Sequence, residues 1–311
     1  MGDVQAEWDV LPAARQGGEG RVWSPSVDVL RNVDLTLGEC PVWDDRSGCL
    51  WFIDIHRPAA LRLDTRSDLV SAFEMPAPIG SLALTNGPEI VVALQTGVFL
   101  YRPVDGRFEL IANPEPEGLP GTRLNDGKAG PDGRFWVGSM DERPDKEPVA
   151  SLYRIDTDGS CRQVVSDVIV SNGLAWSPDA ETMYHADSTR CVVRSYAFSK
   201  AEGTLGEARI FAELGEAEGR PDGAAVSEDG SYWSAGFSAG CLNRLAPAGD
   251  LIEKIRLPVL APSMICFGDG DLKTAYVTTL TRQRDGRGEC GRLLRFRTPH
   301  RGLISDRFHA G

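Results

Sequence analysis

At 311 residues and a formal net charge of −12, the chain lacks the basic footprint that nucleic acid or an anionic membrane surface requires. Its 41% hydrophobic content is ample for a buried core, and 34 Gly with 20 Pro suit turn-dense β structure. No apolar run approaches the roughly 20 residues of a membrane-spanning helix.

Residues 1–22 carry acidic side chains and no apolar h-region, so they read as a loosely ordered leader and not as a secretory signal. The expected compartment is the cytoplasm. From residue 23 onward one phrase returns six times: a marked residue, a short apolar strand, a Gly/Asp/Pro turn, then a strand rich in aromatic and β-branched residues. In chain order the copies begin Glu39-CPVW, Gly80-SLAL, Asn125-DGKA, Asn172-GLAW, Asp222-GAAV and Ser263-MICF. Successive marked residues are 41, 45, 47, 50 and 41 apart. A period of about 40–50 residues with several short strands per unit predicts an all-β, six-bladed β-propeller as a single domain over 23–311.

The repeat predicts a site. Equivalent positions of the innermost strands face one channel at similar depth, so Glu39, Asn125, Asn172 and Asp222 are expected to converge there. Two carboxylates brought together lose hydration and repel unless a cation or a proton compensates. An all-oxygen set without His or Cys suits Ca²⁺, Mg²⁺ or Mn²⁺, and Zn²⁺ also accepts carboxylates. One divalent cation in the channel is therefore expected. Any of these residues alone could merely cap a turn; four in one register argue otherwise. Gly80 and Ser263, being small, are expected to leave open space on one side of the ring.

Arg123-Leu-Asn125-Asp126-Gly127-Lys128 places a cation, an amide and a carboxylate beside the expected metal. Arg123 supplies a planar fork of donors for a carbonyl or polyol, and Asp126 can accept from hydroxyls. Lys128 reads as structural, and Asp187 either reaches the pocket or caps a turn. Residues 236–240, Gly-Phe-Ser-Ala-Gly, match a nucleophile elbow, with Asp269 and His300 in the corresponding order. That motif needs a helix after the serine, and here another strand follows. Trp43, Trp136, Trp176 and Trp233 read as core. The seven cysteines form no C-x-x-C pair and the four histidines no metal-type spacing.

LGECPVWD, RLNDGKAGPDGRFWVGSMDE, SNGLAWSPD, RPDGAAVSEDGSYW and LPVLAPSMICFGDGDLKTAYVTT, in this order, resemble the senescence-marker-protein/gluconolactonase/luciferin-regenerating-enzyme family. The resemblance runs from about residue 27 to the C-terminus. It implies a six-bladed propeller, one divalent cation and hydrolysis of a sugar lactone to its aldonic acid. Carried over by motif, it implies Glu39, Asn172 and Asp222 as metal ligands and Arg123, Asn125 and Asp126 as substrate-binding residues. Arg143 stands where some members carry a substrate-contacting Glu, with Glu142 beside it, so sugar preference does not transfer. Asp222 is the candidate general base, or else only a ligand. The competing functions are another divalent-metal hydrolase, such as a phosphotriesterase, and a non-enzymatic propeller that uses metal to hold its blades. The expected partner is a small sugar lactone, with no obligate protein partner indicated. Loops near 141–149 and 281–289 are expected to set the sugar preference.

Overall fold

The computed structural model describes residues 20–115, 121–281 and 291–310, and among them the chain is all β-strand, with no helix. Six sheets form a six-bladed propeller. Their innermost strands are Gly38–Asp44, Ile79–Leu84, Thr122–Ala129, Ser171–Trp176, Pro221–Val226 and Pro262–Gly268. Each is the six-fold phrase itself, and each packs against the next around a closed ring, blade 6 returning to blade 1.

Ring closure uses the N-terminal part of the described chain. Asp28–Leu30 is the outermost strand of blade 6, antiparallel to Leu293–Arg297. Just before it, Arg21–Trp23 adds a parallel fifth strand to blade 5, beside Leu251–Arg256. Arg21 and Val22, expected in the leader, thus belong to the domain, because an edge strand exposes backbone donors that any extended segment can satisfy. Residues 1–19 lie outside the described residues. At the C-terminus, residues 301–309 cross the turns between first and second strands. Backbone bonds join them there to Glu228, Leu272, Leu84 and Gly133, and Phe308 is buried.

The core lies between blades, where facing sheets bury their aromatic rings. Trp43, Trp136, Trp176 and Trp233 are all buried there, as their place in the repeat predicts. Trp136, Trp176 and Phe198 meet edge to face, a geometry that adds about 0.5–1.5 kcal/mol per pair to the burial itself. Six described cysteines are free, and Cys290 lies outside the described residues.

Every innermost strand slips register by one residue at or beside its marked position. Glu39 opposes Ile53 but Val42 opposes Trp51, and the same slip falls between Leu124 and Gly127, Asn172 and Ala175, and Pro221 and Ala224. A β-bulge re-aims the side chain at the extra residue and bends the strand. Backbone curvature confirms it: Cys40 and Gly173, which follow Glu39 and Asn172, have φ of 49° and 64°. Asn125 and Asp222 lie within the slip, while Glu39 and Asn172 are the last paired residues before it.

Candidate functional site

Arg123, Asn125 and Asn172 form one hydrogen-bonded chain across blades 3 and 4. Arg123 Nη1 donates to Asn125 Oδ1 at 2.8 Å, and Asn125 Nδ2 donates to Asn172 Oδ1 at 3.1 Å and to the Ser171 carbonyl at 2.9 Å. Asn172 Nδ2 then donates to Ser188 Oγ at 2.8 Å, which donates to the Pro221 carbonyl at 2.6 Å. Pro221 precedes Asp222, so the network ends at the strand that carries the second carboxylate. All of these side chains are buried.

The carboxylates are gathered as the repeat predicts. Burial holds the Glu39 carboxyl well above the usual carboxylate range, and the charges of Asp222 and then Asp126 push it further. Asp222 is likewise raised, by burial and then by Asp126. Arg123 pulls both back only in part. Asp126 is raised by burial as well; its Oδ2 accepts from the Leu174 amide at 3.0 Å, and its Oδ1 is buried without a partner among the described residues. Such crowding disfavours three charged carboxylates, and a cation or protons must offset it.

Two carboxylates and the amide oxygen of Asn172 are hard-oxygen donors, the kind that suits a divalent cation. Among the described residues no three His, Cys, Asp or Glu side chains cluster as metal ligands, so the set depends on the amide. A cleft of about 420 Å³ lies between blades 1 and 2 but is lined by Asp44, Trp51, Thr85 and Arg307, away from these groups.

Several expected roles change in detail. Both amide protons of Asn125 are engaged by Ser171 and Asn172, so Asn125 orients its neighbours and holds no donor in reserve for substrate. Gly80 leaves no open space: a Cβ there would stand 2.3 Å from the Leu124 carbonyl oxygen. Ser263 is filled in too, bonding Gly38 O and Thr278 Oγ1. Small residues at these two positions admit neighbouring backbone instead of ligand. Asp187 caps a turn, accepting from the amides of Ile169, Val170 and Thr189. Lys128 is structural, its Nζ 2.7 Å from the Ala224 carbonyl. The elbow motif assembles nothing: Ser238 Oγ accepts from Arg220 N, Asp269 binds Thr274 and Tyr276, and His300 meets Glu253.

Residues given no role at the sequence level include Ser188, His56 and Glu142, the last named only as the neighbour of Arg143. Glu142 Oε1 accepts from Arg123 Nε at 2.9 Å, while Arg143 turns away to Asp141 and Glu147. His56 is held below its ordinary pKa by partial burial and then by the Arg123 guanidinium. The available signal was positional: Glu142 and Ser188 each follow an aspartate that ends a second strand. Within the 141–149 loop, buried Asp141 accepts from the amides of Arg143 and Glu147. Of 281–289, all but Thr281 lie outside the described residues.

Under this network sits His185, wholly buried, with Nε2 2.8 Å from Ser171 Oγ. Burial, and then the charge of Arg194, lower its pKa from 6.5 to about 3. The unfolded chain therefore binds a proton that the folded one refuses between those two pH values. Its contribution to stability is complete above pH 6.5 and falls as pH drops toward 3, by about 1.4 kcal/mol per pH unit. His185→Gln is expected to flatten the acid side of a Tm-versus-pH curve relative to the parent. Parallel curves would refute this.

A six-bladed propeller with an acidic, amide-lined cluster at its inner strands defines the class. The SMP-30/Gluconolactonase/LRE-like region matches residues 37–281, and the chain belongs to that family. The 6-deoxy-6-sulfogluconolactonase of Pseudomonas putida is 37% identical over 249 residues, covering 80% of this chain and 84% of that protein. Regucalcin of Xenopus laevis is 33% identical over 248 residues, covering 78% of this chain and 83% of its own length. The crystal structure of regucalcin from Agrobacterium tumefaciens, a calcium-binding protein, shares the fold with a TM-score of 0.88 at 24% identity, covering 94% and 100% of the two chains.

Proposed function

We propose that this protein is a divalent-metal-dependent hydrolase that opens a sugar lactone to its aldonic acid. The observation that carries the reading is the convergence of two buried carboxylates, Glu39 and Asp222, whose charged forms burial and acidic neighbours disfavour, with the Asn125–Asn172 amide pair and Arg123. Membership of the family and likeness to a sulfogluconolactonase support the lactone as substrate. The calcium-binding regucalcin structure supports a divalent cation.

Glu39, Asp222 and Asn172 Oδ1 would hold the cation, Ca²⁺, Mg²⁺, Mn²⁺ or Zn²⁺. Once bound, it supplies Lewis-acid polarisation of a carbonyl and eases deprotonation of water. The chain's own groups do the rest. Arg123 has Nε and Nη1 engaged by Glu142 and Asn125, which leaves Nη2 to donate to the lactone or its hydroxyls. Asp126 would accept from a hydroxyl through Oδ1, which has no partner among the described residues. Asp222 takes a proton from the attacking water as its oxygen bonds to the acyl carbon. The bond from acyl carbon to ring oxygen then breaks, and Asp222 gives that proton to the ring oxygen, which leaves as a hydroxyl.

An aldonolactone panel followed by proton release tests the reading. Hydrolysis should be lost on chelation and restored by one divalent ion, and the best substrate would name the sugar. Turnover that survives full chelation, or no turnover on any lactone with cation bound, sinks it and leaves phosphotriesters and pure binding to be examined.

A further inference from the structure

We infer that Ser188 is a positioning residue for the cation: its hydroxyl sets the amide orientation of Asn172 and thereby presents Oδ1, not Nδ2, to the site. The inference rests on the reading of Asn172 as a ligand, and it follows from counting protons. A serine hydroxyl has one hydrogen. The Pro221 carbonyl, 2.6 Å away, can only accept, so that hydrogen is committed to it. The contact of 2.8 Å between Ser188 Oγ and the Asn172 amide must then be one in which the serine accepts. An acceptor there requires Nδ2, because the flipped amide would set lone pair against lone pair. With Nδ2 facing Ser188, Oδ1 faces Asn125.

An independent chain of bonds gives the same answer from the other side. Arg123 has donors only, so the Asn125 atom it meets at 2.8 Å is Oδ1. The Ser171 carbonyl can only accept, so the Asn125 atom it meets at 2.9 Å is Nδ2. The second proton on Nδ2 points at Asn172 and requires an oxygen there. That oxygen keeps a further lone pair for a cation.

Ser188 is 8% exposed and lies one residue beyond the second strand of blade 4, Thr182–Asp187. Its bond to Pro221 ties the strand bearing Asn172 to the strand bearing Asp222, so one hydroxyl fixes both the orientation of a ligand and the spacing of two blades. Groups that orient metal ligands in this way typically change affinity about tenfold to a hundredfold when removed.

The test uses the full chain and Mn²⁺. Calorimetric titration should show Ser188→Ala binding Mn²⁺ about tenfold or more weakly than the parent, and Ser188→Thr, which restores a hydroxyl, binding close to parent strength. In metal-free protein, the Asn172 side-chain amide protons, assigned by their absence in Asn172→Asp, should exchange with solvent faster in Ser188→Ala and at the parental rate in Ser188→Thr. Thermal melts confirm that each variant is folded. Parental Mn²⁺ affinity and parental amide exchange in Ser188→Ala would overturn the role of Ser188, as would equal weakening in the Ala and Thr variants, which would assign the effect to packing. Parental Mn²⁺ affinity in Asn172→Ala would instead overturn the ligand reading, while the amide-exchange result would still report whether Ser188 orients Asn172.

Discussion

Asp222→Asn is expected to lower lactone turnover by at least about a hundredfold while leaving a cation in the site. Removal of a positioned general base typically costs about 10² to 10⁴ in rate. Asparagine is nearly isosteric and keeps an oxygen for the cation, the role proposed for Asn172 in the adjacent blade. It cannot take a proton from water. Burial and the neighbouring Asp126 charge raise the Asp222 carboxyl, which favours proton acceptance, whereas a bound cation pulls in the opposite direction. Measurement of kcat beside metal content of the same sample separates the two roles. Full occupancy with turnover near the parent would mean that Asp222 serves only as a ligand. Lost occupancy together with lost turnover would place its main contribution in holding the cation.

Gly80→Ala should destabilise the fold and disturb the site together. The new Cβ would lie 2.3 Å from the Leu124 carbonyl oxygen, 2.7 Å from its carbon and 2.9 Å from the Asn125 Cα. All three are backbone atoms of the strand that carries Arg123 and Asn125, so no side chain can swing aside. Overpacking of this kind costs about 1–3 kcal/mol, and more when backbone must move. A fall in Tm of several degrees is expected, accompanied by a disproportionate loss of activity as Arg123 and Asn125 shift. Gly270→Ala is the control, because nothing lies within 4 Å of its added Cβ. Equal Tm values for the two variants would show that blade 2 tolerates the methyl and that the close approach is not a constraint.

Much of this architecture is legible before any coordinates. The six-fold phrase marks the inner strands because each blade must bury the same surfaces against its neighbours, so its pattern recurs wherever the geometry does. Glu39, Asn125, Asn172 and Asp222 stand out for a related reason: each sits at or beside a bulge that recurs at one place in every blade. The tryptophans follow from burial alone. The GFSAG pentapeptide could be set aside because a strand, not a helix, comes after it.

What the one-dimensional pattern could not convey is the pairing of groups from different blades. Asn125 and Ser188 both contact Asn172 from opposite sides, although 63 residues separate them in the chain. The repeat predicts that polar residues meet, but not which amide atom meets which oxygen. Gly80 misleads for the same reason: a missing side chain reads as empty space until the neighbouring strand is seen to fill it. Glu142 rather than Arg143 bonds Arg123, because Asp141 binds the guanidinium of Arg143 and turns it out of the site. Periodicity is a property of each blade repeated, and the sequence by itself therefore determined the fold, the ring of marked residues and their oxygen chemistry. Orientation, hydrogen-bond direction and which donors stay available depend on contacts between blades, and those only the tertiary structure decided.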